Sequence, residues 1–160
     1  MAEFSHIRGD AVRMVDVSGK EEVHRRAVAT GRIHLRPETL SAIREGAVVK
    51  GNVLATARVA AILAVKDTSH VIPMCHPIPI AGVEVGFSEG DGFLEATVEV
   101  KSTGRTGVEM EALTGVAVAL LTVWDMVKSA EKDPDGQYPL TRIEGIRVVE
   151  KRKSGSSHSG

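Results

Sequence analysis

Residues 83–101 read VEVGFSEGDGFLEATVEVK, and the period of this stretch decides the fold. Val83, Val85 and Phe87 alternate with Glu84, Gly86 and Ser88. Leu94, Ala96, Val98 and Val100 alternate with Glu95, Thr97, Glu99 and Lys101. A period of two sorts each set onto one face of a strand. Asp91-Gly92 between the runs is a tight hairpin signal. The hairpin has one apolar face, and the flanking sequence supplies elements to cover it.

Upstream, GNVLATARVAAILAVKDTS (residues 51–69) predicts a helix with Asn52 as its cap. Between Val53 and Val65 only Thr56 and Arg58 are polar, so this helix must be buried nearly all round, in a core or in a subunit interface. Before it, RPETLSAIREG (36–46) predicts a shorter helix, with Pro37 in the first turn, Glu38 near the positive end and Gly46 as the stop. Downstream, a long helix covers about residues 107–131 and is broken by DPDGQYP (133–139). EEVHRRAVATGRIHL (21–35) reads as a first strand, with Gly31 a candidate bulge, and TRIEGIRVVEKRK (141–153) as a last one. The order strand, helix, helix, strand, strand, helix, strand predicts an α+β fold: a ferredoxin-like antiparallel sheet with helices packed on one face. We expect a single domain over residues 14–153, with flexible tails at 1–13 and 154–160.

At 160 residues the chain can bury a real core. A net charge of -1 and 3% aromatics argue against a nucleic-acid partner. A single cysteine, Cys75, excludes an internal disulfide and a cysteine-based zinc site within one chain. The first residues lack the apolar core of a secretory signal, which points to a cytoplasmic protein without a membrane partner.

The chemical signal is a surplus of ionisable groups in apolar surroundings: Lys50, His76, Glu109, Glu111, Asp125 and Lys128. Asp125 and Lys128 lie three apart on a helix and can touch. They form either an exposed ion pair or a buried carboxylate and amine poised for proton transfer. Thr106 and Glu109 fit a capping box. Glu111, two residues on, has no such structural excuse. Thr103–Gly107 leads into the helix and, with Arg105, could form an anion nest. In VIPMCHPIPI (71–80) three prolines stiffen a turn that carries Met74, Cys75 and His76. Lys50, beside Gly51, is either a solvated loop lysine or an amine aimed at a substrate.

Three runs, RMVDVSGK (13–20), KGNVLATARVAAILAVKDTSHVIPMCHP (50–77) and TGRTGVEMEALTGVAVALLTVWDMVK (103–128), closely resemble the molybdenum cofactor biosynthesis protein C family. The resemblance spans roughly Met14 to Lys153. It implies a lyase that converts (8S)-3',8-cyclo-7,8-dihydroguanosine 5'-triphosphate to cyclic pyranopterin monophosphate and diphosphate. It implies a homo-hexamer, a trimer of dimers, with sites at subunit interfaces. By resemblance Asp125, Lys128 and Lys50 are catalytic. Met74, Cys75, His76, Met110 and Glu111 bind substrate, with Glu109 and Arg25 nearby. No protein-held cofactor or metal is implied, and magnesium would arrive only with the triphosphate. A non-catalytic nucleotide-binding module of the same fold, and an unrelated phosphotransferase, are the other classes to weigh. The chain departs from many relatives at its end, where EKDPDGQYPLTRIEGIRVVEKRKSGSSHSG (131–160) is longer and more polar than their shorter endings.

Overall fold

The computed structural model describes residues 7–8 and 11–154. Ile7–Arg8 and Ala11–Val12 form a two-residue antiparallel ladder within the segment expected to be a tail. The remainder of the two expected tails, residues 1–6, 9–10 and 155–160, lies outside the described residues.

The main sheet and its helices follow the expected order. They are β1 Val23–His34, α1 Pro37–Glu45, α2 Val53–Val71, β2 Ile80–Gly90, β3 Phe93–Gly104, α3 Glu109–Glu131 and β4 Arg142–Ser154. The strands lie β2-β3-β1-β4, every pair antiparallel. This is the β-α-β-β-α-β order of the ferredoxin-like pattern, with the first crossover divided into two helices. Val98, Val100, Ala96, Ala27 and Ala29 face the helices and are fully buried. The other face of the sheet carries cross-strand ion pairs, Arg26 with Glu99 at 2.8 Å and with Glu150 at 2.9 Å, and Arg32 with Glu95 at 2.8 Å. Such pairs set the register of a wet face more than they stabilise it.

Local signals act where they were expected. Pro37 opens α1 and Gly46 closes it in the left-handed region at φ 69°. Asn52 caps α2 by accepting from Ala55 N at 2.9 Å. Gly31 pairs regularly with Ala96 on β3, and the irregularity lies across from it, where β4 spends Gly145 and Ile146 on one step of β1. Gly31 is small for a further reason. A Cβ there would lie 2.8 Å from Val116 Cγ1 and 3.0 Å from Leu120 Cδ1, so the glycine lets α3 descend onto the sheet. Gly115 does the same from the helix side, where a Cβ would meet Val65 Cγ2 at 2.9 Å and Val98 Cγ1 at 3.1 Å.

Two expectations need correction. The helix 53–65 is not buried all round by its own chain. Val53, Ala57, Ala61 and Val65 form one buried stripe, whereas Val59 and Leu63 are 59% and 60% exposed. Thr106 and Glu109 form no capping box either: α3 starts at Glu109, its N-cap is Val108, and no side chain caps it. By length and composition α3 could cross a membrane, but one side of it is packed on this sheet.

The seam between α2, α3 and β3 yields a stability prediction. Val65 and Val98 are stiff β-branched neighbours, so Gly115→Ala should destabilise by about 1–3 kcal/mol through overpacking, despite alanine's better helix propensity. Thermal melting checks it; a melting temperature at or above wild type would show that the seam yields.

Candidate active site

The turn 72–79 and the start of α3 form a carboxylate corner. Cys75 N donates to Ile72 O at 3.1 Å and closes the turn. Cys75 Sγ lies 3.8 Å from Glu111 Oε1. Glu111 is 3% exposed, and its Oε2 finds no hydrogen-bond partner among the described residues. Burial pushes the Glu111 carboxyl up to about 7, with Glu109 adding like-charge repulsion. Burial, then Glu111 itself, push the Cys75 thiol up to about 11, so at neutral pH it is a thiol and no nucleophile. Met74 and His76 are half-buried in the same turn. A carboxyl poised near neutrality, with one oxygen unsatisfied, is suited to exchanging a proton with a ligand.

Glu109 sits two residues earlier and pairs with Lys151 on β4. Burial, the largest single influence, raises its carboxyl, but the Lys151 ammonium, the Glu109 backbone N–H and Arg25 together bring it below the ordinary range. Arg25 Nε donates to Gly104 O at 3.0 Å. Arg25 and Lys151 therefore reach this corner from adjacent strands. Met110 points off this line and is 42% exposed. The expected nest at Thr103–Gly107 is not formed by Arg105, which turns away to Lys20 O at 3.2 Å and to Glu22.

A second group gathers at the other end of α3. Lys50 Nζ donates to Asp125 Oδ2 at 3.0 Å and to Asp125 O at 3.1 Å. Lys128 Nζ donates to Asp125 Oδ1 at 3.0 Å. Lys50 arrives there because α1 stops at Gly46 and a turn closes from Val48 O to Gly51 N, with Gly51 at φ 113°. Lys128, then Lys50, hold the Asp125 carboxyl below the usual carboxylate range, and Asp125 holds the Lys128 ammonium above its own. All three side chains are exposed in the protomer. Of the two readings, the exposed ion pair holds for a single copy of the chain and the buried carboxylate and amine do not. An exposed ammonium beside a carboxylate is favoured in its charged form.

The two groups do not meet. Glu111 and Asp125 are fourteen residues apart on one helix, which at 1.5 Å per residue is about 21 Å. Met74, Cys75, His76, Glu109, Glu111 and Arg25 serve one end; Lys50, Asp125 and Lys128 serve the other. Helix length alone carried this information, since no bend short of a break brings such positions together. The residue that sequence reasoning missed is Lys151. Its pairing with the helix-facing Ala27 turns it to the helix side, and the two irregularities in β4 hide this from the period of the sequence.

A cleft of about 700 Å³ at the end of β1, β3 and β4 adjoins this site, since Arg25 and Lys151 are among its lining residues. Strand alternation directs His24, Arg26, Lys101 and Arg152 to the open face of the sheet, away from Glu111. Two carboxylates are shared by three cations there: Arg26 pairs with Glu99 and Glu150, Lys101 with Glu99, and Arg152 with Glu150. Among the described residues no three His, Cys, Asp or Glu side chains gather as metal ligands.

With this geometry in place, comparison with known proteins is decisive. The profile of the MoaC family matches residues 14–154. The chain belongs to the MoaC family. A protein of Methanoregula boonei named "Probable cyclic pyranopterin monophosphate synthase" is 72% identical over 153 residues, covering 96% of this chain and 99% of its own. Proteins of the same name from Thermococcus onnurineus and Pyrococcus abyssi are 60% and 58% identical, covering 96% and 98% of this chain and 98% and 99% of their own. The MoaC family is the one that the three runs resemble, and both groups at the ends of α3 fall within the matched span.

Glu111 carries a pH prediction. Its folded pKa is raised above the unfolded value, so the folded state binds the extra proton and stability falls as pH rises from about 4.3 to about 7. Glu111→Gln removes that titration. The variant should match wild type near pH 4 and exceed it above pH 7, by up to about 3 kcal/mol. Denaturant melts at the two pH values measure the gap; a gap independent of pH would contradict a raised carboxyl.

Proposed function

We propose that the chain is a cyclic pyranopterin monophosphate synthase whose site is completed between two copies of the chain. The substrate is the cyclic dihydroguanosine triphosphate and the products are cyclic pyranopterin monophosphate and diphosphate. One observation carries the composite site: complementary chemistry stands about 21 Å apart on one rigid helix. One end offers carboxyl groups, a histidine and a turn; the other offers two ammonium groups around a carboxylate. Exposed apolar side chains between them, Val59 and Leu63 on α2 and Leu121 on α3, support a partner copy. A hexamer, as a trimer of dimers, belongs to the same proposal.

The chemistry divides between the ends. As a substrate hydroxyl closes the cyclic phosphate, the bond from the α-phosphorus to the bridging oxygen breaks and diphosphate leaves with negative charge. Lys50 and Lys128 stand where they can neutralise those oxygens, with Arg25 and Lys151 as cations of the other half. In the free protomer the pairing that keeps Lys128 charged and Asp125 ionised makes each a poor proton donor and acceptor, and burial by the partner copy would move both toward transfer. Glu111 and His76 exchange protons during ring opening and pterin closure. Enclosure by the partner would desolvate the exposed triad and strengthen each of these interactions. In this reading the protein holds no metal of its own, magnesium enters with the triphosphate, and the enzyme works in the cytoplasm.

The wild-type protein, incubated with the cyclic triphosphate, should release diphosphate and a pterin that fluoresces after oxidation. Asp125→Asn and Glu111→Gln should each lose about 100-fold or more in turnover. If the halves come from different copies, refolding the two variants together in equal amounts should recover about a quarter of wild-type activity, because one site in four then unites two intact halves. No recovery in co-refolded oligomers would place the whole site within one chain. Absence of diphosphate from the wild type would remove the assigned reaction.

A further inference from the structure

The polar segment that follows α3 is a built loop. Asp133 accepts from Asp135 N at 2.9 Å and from Gln137 N at 2.8 Å. Asp133 N donates to Gln137 O at 2.9 Å, and Gly136 takes φ 78° to close the turn. At the far end Thr141 Oγ1 donates to the buried Glu131 at 2.8 Å. Held at both ends, the loop presents one aromatic residue, Tyr138, edge-on to Trp124 with ring centroids 5.2 Å apart at 67°. Trp124 and Lys128 are i and i+4 on α3, so they share a face. The half-buried Tyr138 ring therefore packs on the face from which Lys128 reaches Asp125.

We infer that Tyr138 is a positioning residue for the Lys50–Asp125–Lys128 group, fixing Trp124 and the stem of Lys128 so that Nζ is already on Asp125 when substrate arrives. An inference about turnover here rests on the proposed function; the inference about geometry does not. Three groups act on this face: Lys50 from the segment after α1, Lys128 from α3 itself, and the Tyr138 phenol, which lies within electrostatic reach of Lys128. A lysine on an exposed helix face would otherwise spend much of its time in other rotamers. Ordering it beforehand moves that entropy cost out of the catalytic step.

Tyr138→Ala and Tyr138→Phe test this, with Tyr138→Leu repeating the test if the alanine variant unfolds. With aspartate labelled at its side-chain carbonyl carbon, the Asp125 titration is followed directly. Loss of the ring frees Lys128, so the Asp125 midpoint should move to higher pH in Tyr138→Ala and stay at the wild-type value in Tyr138→Phe. In the diphosphate-release assay kcat should fall about 10-fold in Tyr138→Ala with KM within about two-fold, and phenylalanine should restore it. An unmoved Asp125 midpoint in a folded Tyr138→Ala or Tyr138→Leu variant overturns the inference. Because the titration needs no substrate, it decides the role of Tyr138 even if wild type releases no diphosphate.

Discussion

A single buried carboxylate ties the architecture together. Glu131, the last residue of α3, is 0% exposed. It accepts from Thr39 Oγ1 at 2.5 Å, Thr141 Oγ1 at 2.8 Å and Arg36 N at 3.1 Å. These donors come from the start of α1 and from the residue before β4. A buried carboxylate is tolerable only when its lone pairs are filled, and a helix N-terminus is a favourable place for its charge. Losing any one donor would leave part of that desolvation cost uncovered. Glu131 thus fixes where α1 begins, and α1 in turn delivers Lys50 to Asp125, six residues back along α3.

The second constraint is closeness. Gly31 and Gly115 have no Cβ where one would collide, and Ala27, Ala29, Ala96, Ala112 and Ala119 line the same seam. Small residues here bring α3 against both α2 and the sheet. Apolar contact at that distance resists sliding, because interiors packed at crystal-like density have few voids to move into. α3 therefore acts as a rigid spacer. Its two ends keep fixed positions, and Asp125 and Glu111 keep a fixed separation.

Legibility in the sequence followed the range of the forces. The hairpin at Asp91-Gly92, the Asn52 cap, Pro37 at the opening of α1 and the stop at Gly46 were plain, because each is settled within a few residues. The Thr106–Glu109 box failed because a tertiary partner won: Lys151, some forty residues on, takes the Glu109 carboxylate that a local cap would have used. Glu131 looked like any acidic residue near a helix end, since its donors are ninety-five positions upstream and ten downstream. The apolar run 53–65 announced burial but not by what, as a sequence does not distinguish its own core from a neighbour's. Asp125 and Lys128 were recognised as a pair; their exposure was hidden because it depends on what encloses them.

That exposure is also the clue to how such a site can be built. A carboxylate with two ammonium groups, formed and buried within one chain, would bear the desolvation cost of three charges during folding. Left open on the protomer, the same group keeps water, and its ion pairs cost little. In the proposed assembly that desolvation cost would fall on association, where exposed apolar surface on α2 and α3 would offset it. Placing the two halves at opposite ends of a stiff helix prevents either from satisfying the other prematurely: Lys50 and Lys128 cannot collapse onto Glu111 or Glu109 of their own chain. Glu111 retains unspent hydrogen-bonding capacity, its Oε2 having no partner among the described residues, which the proposed composite site would use.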